Sequence, residues 1–164
     1  QADLNQNIPC SWTLYKQCDS RWGSNRLGTS SSTICSAGCA MSSVAMALAS
    51  HGIHINGAKV TPANLNTWLI NHGGYVSGNL IVWNAVSKLG MSTKTIVSGI
   101  SRAQLKSYVK ACHPVVANVN KGGHWVLVTG WQDSNDNIWY VNDPGYNRAS
   151  YTFGEMIRFI VYKY

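Results

Sequence analysis

Between residues 37 and 51 the apolar side chains Ala40, Met41, Val44, Ala45, Leu48 and Ala49 recur at spacings of three and four. That period predicts a helix from Ala37 to His51, buried on most sides and ended near Gly52. Upstream, to about Ile34, the chain is rich in Ser, Asn, Gly and Cys and reads as loop or short extended pieces. Downstream, "TPANLNTWLINHGG" (61–74) predicts a second helix, with Thr61 as N-cap, Pro62 in the first turn and the glycine pair as its stop. "NLIVWNAVSKLG" (79–90) predicts a third, capped by Asn79 and stopped by Gly90. "STKTIV" (92–97) is β-branched and reads as a strand, and "SRAQLKSYVKAC" (101–112) as a fourth helix with a Ser101 cap. The pattern then changes. "PVVANV" (114–119), "HWVLVTGW" (124–131) and "NIWYVND" (137–143) are β-rich runs separated by the turn-like "NKGG" and "DSND". Helices followed by an antiparallel sheet make an α+β layout, and with no repeat or linker in view one domain is expected over residues 1–164.

Composition adds a compartment. The five cysteines are an odd count, which suggests four paired and one free thiol in an oxidising environment; four allow three connectivities. The chain begins with Gln1 and shows no signal peptide, which fits a processed secreted protein. No apolar run approaches the ~18 residues of a spanning helix. Net charge is +7 with only six carboxylates, so the surface should be drawn to polyanions such as teichoic acids or anionic membranes. The Lys and Arg residues are scattered singly and no nucleic-acid motif appears, so nucleic acid is not an expected partner. There is no Cys-x-x-Cys, no His-x-x-x-His and no carboxylate cluster, so neither a metal nor a cofactor is expected. A monomer is expected.

The candidate chemistry starts at Cys39, which follows Gly38 and opens the small-residue helix. A cysteine in a first turn lies beside unpaired N–H groups and the positive end of the helix dipole, which favour thiolate over thiol. Gly38 would let a substrate approach the sulfur. His124 differs from His51 and His72 near helix ends, His54 in a loop and His113 before a proline. Gly122 and Gly123 clear space beside it and an apolar strand fixes it. Asp143 ends the next run. A hairpin centred on residues 133–136 sets Asp143 opposite Val126, which shares a face with His124. The carboxylate then lies diagonal to the imidazole, about 7–8 Å between backbones and within side-chain reach. Asn142 points to the other face, and a one-residue slip would exchange the two, so Asn142 is the alternative. Cys, His and Asp in this order are the parts of an activated thiol: a nucleophile, a base, and a group that holds the ring. The Cys39 N–H and the Gln17 amide of "YKQCDSRW" are candidate oxyanion donors.

"YKQCDSRWGSNRLG", "STICSAGCAMSSVAMAL", "TPANLNTWL", "GGHWVLVTGW" and "WYVNDPGY" come in the order seen in the peptidase-like family related to bacteriocin double-glycine leader peptidases. The chain resembles that family over about residues 13–160. The resemblance implies a papain-like fold, in which a helical N-terminal part with a central Cys-bearing helix packs on a C-terminal antiparallel sheet. It implies Cys39 as nucleophile, His124 as base, Asp143 as orienting residue and Gln17 as oxyanion donor. Gly38, Gly123 and Trp125 are candidate cleft residues. Cys35 stands where relatives often carry glycine or another small residue, so it is a rival thiol or a disulfide partner for Cys10, Cys18 or Cys112. No transporter segment accompanies these motifs, so leader-peptide cleavage does not follow from the resemblance.

Two function classes are open. One is a secreted cysteine hydrolase that cleaves a peptide or isopeptide bond through a thioester acyl-enzyme, with a bacterial cell-wall peptide or a protein as substrate; a transamidase would use the same residues. The other is a non-catalytic binding or toxin-like module that uses an aromatic cleft drawn from Trp12, Trp22, Trp68, Trp83, Trp125, Trp131 and Trp139.

Overall fold

The computed structural model describes residues 5–164. Strand β1 (Gln6–Asn7) is followed by a long irregular segment, then by a single turn α1 (Ile34–Ala37) and the helix α2 (Cys39–Ser50). The two do not merge into the one helix expected from Ala37. Gly38 ends α1 and starts α2, and a Cβ there would collide with the carbonyl and side chain of Ile34. Cys39 is therefore the first residue of α2. Nine of the twelve α2 residues are buried, among them Ser42 and Ser43. The small side chains let core pack against every face of the helix.

Next comes the hairpin β2 (His54–Ile55) and β3 (Ala58–Lys59), turned by Asn56 and Gly57 at φ 51° and 79°. Helix α3 (Pro62–Asn71) starts as predicted: Thr61 Oγ1 accepts from Asn64 N–H, and Asn64 Oδ1 accepts from Thr61 N–H. Residues 79–90 depart from expectation. Strands β4 (Tyr75–Val76) and β5 (Leu80–Ile81) form a hairpin, with Ser77 and Gly78 left-handed at φ 51° and 84°. Asn79 lies in that turn and caps nothing. Only Trp83–Leu89 is helical, as a 3-10 turn stopped by Gly90 at φ 103°. Asn84 Oδ1 accepts from the N–H and hydroxyl of Thr93, which ties this turn to β6 (Ser92–Val97).

Helix α4 (Arg102–Lys110), capped by Ser101, leads into β7 (Val115–Val119), β8 (His124–Gln132), β9 (Asn135–Asn142), β10 (Ser150–Thr152) and β11 (Arg158–Lys163). The seven-stranded sheet runs β10-β9-β8-β7-β11-β6, with β1 paired to the far end of β8, and every pairing is antiparallel. β1, β10 and β11 extend it beyond the predicted runs.

Both faces of the sheet are covered. Val116, Leu127, Ile160 and Tyr162 join α2 and α3 in one core, while Val115, Ala117, Val126, Val128, Phe159 and Val161 join α4, Trp131 and Trp139 in a second. Alternate residues of one strand thus enter opposite cores, so these strands read as continuous apolar runs. The result is the α+β, papain-like arrangement that the sequence predicts, with the Cys39-bearing helix against the sheet. No helix among the described residues is long and apolar enough to cross a membrane.

Two disulfides, Cys10–Cys112 and Cys18–Cys35, tie the irregular N-terminal segment to both halves of the chain and leave Cys39 free. Buried Asn66 on α3 adds a third tie: its amide serves Gly28 N–H, the Arg26 carbonyl and the Tyr75 hydroxyl. Asn66→Ala strands these groups, each at about 1–3 kcal/mol. Urea unfolding should show a loss of about 2–4 kcal/mol; a loss below ~1 kcal/mol would mean that the segment does not depend on this anchor.

Candidate active site

His124 opens β8 and is 5 % exposed. The turn before it is unusual: Asn120, Lys121 and Gly122 are all left-handed, at φ 53°, 54° and 96°. Asn118 on β7 steadies this turn, its amide donating to the carbonyls of Gly122 (3.1 Å) and His124 (2.9 Å). The ring is fixed from the other side. His124 Nε2 donates to Asp143 Oδ1 at 2.7 Å, which leaves Nδ1 as the ring nitrogen available to the Cys39 thiol.

Asp143 lies just beyond β9. The ladder pairs Leu127 with Asn142 and Val128 with Val141, the predicted register, and bulges offset it only toward the hairpin turn. Asp143 is thus directed to His124, while Asn142 donates to the Thr13 carbonyl at 3.0 Å and takes no part in the ring contact. The Asp143 carboxylate is 2 % exposed. Oδ1 accepts from the N–H groups of Gly145 and Tyr146, both at 2.9 Å, besides the imidazole, and Oδ2 accepts from the Tyr151 hydroxyl on β10. Tyr151 gave no sign in the sequence, because a tyrosine in a short strand is ordinarily core.

The turn "DPGY" folds back over the imidazole. Tyr146 meets His124 edge-on at 4.8 Å, and a Cβ on Gly145 would lie 2.7 Å from His124 Cε1. Only glycine leaves room for the ring there. Gln17 reaches the same turn from the N-terminal segment: its N–H donates to the Pro144 carbonyl, and Lys16 Nζ donates to the carbonyls of Asp143 and Tyr146, all at 2.8 Å. Gln17 Nε2 gives one N–H to the Cys35 carbonyl at 2.8 Å, and its second N–H remains for a ligand.

The electrostatics follow from these contacts. Burial opposes charge on His124, but the hydrogen bonds and charges of Asp143 and Cys39 outweigh it and raise the imidazole to about 9. Burial likewise opposes charge on Asp143, and the donors from His124, Tyr151, Tyr146 and Gly145 prevail, lowering it.

Two clefts of about 420 Å³ each meet at Cys39. One is polar, with Gln17, Cys18, Cys35, His124, Gly145 and Tyr146. The other is largely apolar, with Val76, Leu80, Ile81, Trp83 and Trp125. Gly123 lines both and Trp125 the second, whereas Gly38 lines neither, because Ile34 occupies the space its missing Cβ leaves. His51 and His72 stack on Tyr164 and Trp68, away from these clefts. Among the described residues no three His, Cys, Asp or Glu side chains gather as a metal cluster.

Residues 10–162 match the model of the Peptidase_C39 like family. The chain is also similar to the crystal structure of a double glycine motif protease from an AMS/PCAT transporter in complex with the leader peptide. The TM-score is 0.56 at 16 % identity, over 97 % of this chain and 99 % of that one. At that identity the likeness is one of fold. No curated protein matches.

His124 should titrate near 9, followed by its ring proton resonances in NMR. Because this value lies above the ~6.5 of an unfolded histidine, the interaction stabilises the fold fully below about 6.5 and is lost as pH rises through about 9. Asp143→Asn should lower the imidazole value and flatten that alkaline decline in stability. An unchanged titration in the variant would show that Asp143 does not hold the ring's charge.

Proposed function

This chain belongs to the Peptidase_C39 like family, and we propose that within this cysteine-peptidase fold it is an active cysteine hydrolase that uses Cys39, His124 and Asp143. The observation that carries the reading is the His124 ring, fixed through Nε2 on a buried carboxylate, with its other nitrogen left to Cys39, the one free cysteine. A structural histidine needs no such arrangement. Here it presents a base of raised proton affinity to a half-buried thiol in an open cleft.

In this reading the proton shared by Cys39 and His124 rests on the ring, whose raised proton affinity favours it there, and the thiolate sulfur attacks the carbonyl carbon of a peptide bond. The carbonyl oxygen gains negative charge beside the Cys39 N–H, at the positive end of α2, and beside the free N–H of Gln17 Nε2. As the C–N bond breaks, His124 returns the proton to the leaving amine and a thioester remains on Cys39. Water, giving its proton to His124, attacks the thioester; the acid leaves and the sulfur recovers its proton. Asp143 keeps Nε2 protonated throughout, so the catalytic nitrogen is always the one facing sulfur. An amine in place of that water would make the same site a transamidase.

The two disulfides support an extracellular setting, since such bonds persist where the medium is oxidising. The net charge of +7 favours an anionic surround such as a bacterial cell wall. The substrate class is therefore a peptide or protein, with a cell-wall peptide the first to try, and the enzyme acts as a monomer.

Iodoacetamide at neutral pH should label Cys39 rapidly in the non-reduced protein, and His124→Ala should slow that labelling. With purified cell walls and a peptide library, mass spectrometry of the products should show cleavage that Cys39→Ser abolishes. Gln17→Ala should lower kcat by about 10²–10³ with the fold intact. Slow labelling, or full activity in Cys39→Ser, would overturn the assignment.

A further inference from the structure

The apolar cleft beside Cys39 contains one feature that hydrolysis alone does not require. Its walls are Val76 and Leu80, 54 % and 59 % exposed, with Ile81 and the Trp83–Trp125 pair, whose ring centroids are 4.7 Å apart. Among the described residues Arg158 is the only Lys, Arg, Asp or Glu that lines it. The position of Arg158 is set by register: it opens β11 directly opposite Asn118, the residue that steadies the His124 turn. Arg21, Arg102 and Arg148 each have a carboxylate partner, but Arg158 enters none of the ion pairs among the described residues. An exposed guanidinium without a carboxylate, lining the same largely apolar cleft as Cys39, is half of a recognition pair. The complementary half is a carboxylate, which it can grip through two parallel N–H···O bonds.

We propose that this cleft is the subsite for a substrate segment that carries a carboxylate beside a bulky apolar side chain, with Arg158 selecting the carboxylate. The apolar side chain seats against Val76, Leu80, Ile81 and the tryptophan pair. The charge agrees: a chain of net charge +7 attracts an acidic peptide from a distance, and Arg158 supplies the local partner. The carboxylate has two sources, an acidic side chain within the peptide or the free end of a chain. The assignment rests on the peptidase reading only for the cleavage of a peptide once bound.

The test uses fluorescein-labelled, capped heptapeptides of Leu and Gly in which each position in turn carries Glu, Gln or Lys. A second pair of Leu-Gly heptapeptides differs only in a free or amidated C-terminus. Binding to the Cys39→Ala protein is read by fluorescence anisotropy. Glu at one position at least should bind about 10-fold or more tighter than Gln, or the free C-terminus tighter than the amide; the two arms separate the sources. Arg158→Gln in the same background should abolish the difference, and Arg158→Glu should favour Lys, with melting by circular dichroism confirming that each variant is folded. Equal binding, no binding, or a preference that survives Arg158→Gln would overturn the assignment. Cleavage by the unsubstituted protein separates the two readings. Carboxylate-selective binding without cleavage of any peptide would overturn the hydrolase, and cleavage without carboxylate preference would overturn the subsite.

Discussion

The buried carboxylate of Asp143 organises the site and much of its surroundings. An ionised group taken out of water costs several kcal/mol even after relaxation, and it persists only where donors replace its hydration. Asp143 has four: the imidazole of His124, the hydroxyl of Tyr151, and the N–H groups of Gly145 and Tyr146. They come from three parts of the architecture, respectively β8, β10 and the turn after β9. Satisfying one anion therefore fixes the relative placement of two strands and a turn, and sets which ring nitrogen of His124 faces Cys39. It also demands glycine at 145, since the turn that brings two N–H groups to the carboxylate passes directly over the imidazole.

The N-terminal segment depends on the same turn. Lys16 donates to the carbonyls of Asp143 and Tyr146, Gln17 to that of Pro144, and Asn142 back to that of Thr13. Over a stretch with almost no regular structure, these bonds and the two disulfides add to the anchoring that Tyr15, Trp22 and Leu27 supply by burial in the core. The Cys18–Cys35 bridge joins the residue after Gln17 to the turn before α2, whose carbonyl at Cys35 holds the Gln17 amide. Gln17, Cys39 and His124 are thus linked by covalent bonds and polar contacts across segments up to about a hundred residues apart in the chain.

How far this could be read in advance varied with the kind of signal. Thr61 and Ser101 announced their helices because an N-cap is a local contact, complete within four residues. The β8–β9 register was legible near the site because side chains alternate strictly, and the bulges that break the count lie toward the turn. Residues 79–90 misled because "NLIVWNAVSKLG" has helical spacing, yet the left-handed Ser77-Gly78 turn commits Leu80 and Ile81 to a hairpin. β11 escaped notice because a strand buried on both faces shows no alternation, only a run of apolar residues. Gly38 was legible as a required glycine but not for its reason, which is the approach of Ile34 rather than of a ligand.

By itself the sequence determined the elements whose causes are local: the buried small-residue helix, its opening cysteine, the capped helices and the alternating strands that bring Asp143 level with His124. It also narrowed the chemistry to an odd thiol, an imidazole and a carboxylate in order. Only the tertiary structure decided which cysteines pair, that Asp143 rather than Asn142 meets the ring, that Tyr151 and Gly145 complete the carboxylate's surroundings, and that Arg158 lines the same cleft as Cys39. Each of these is a contact between segments separated in the chain. Such contacts depend on how both faces of the sheet are covered and where the strands bulge, quantities that no window of neighbouring residues contains.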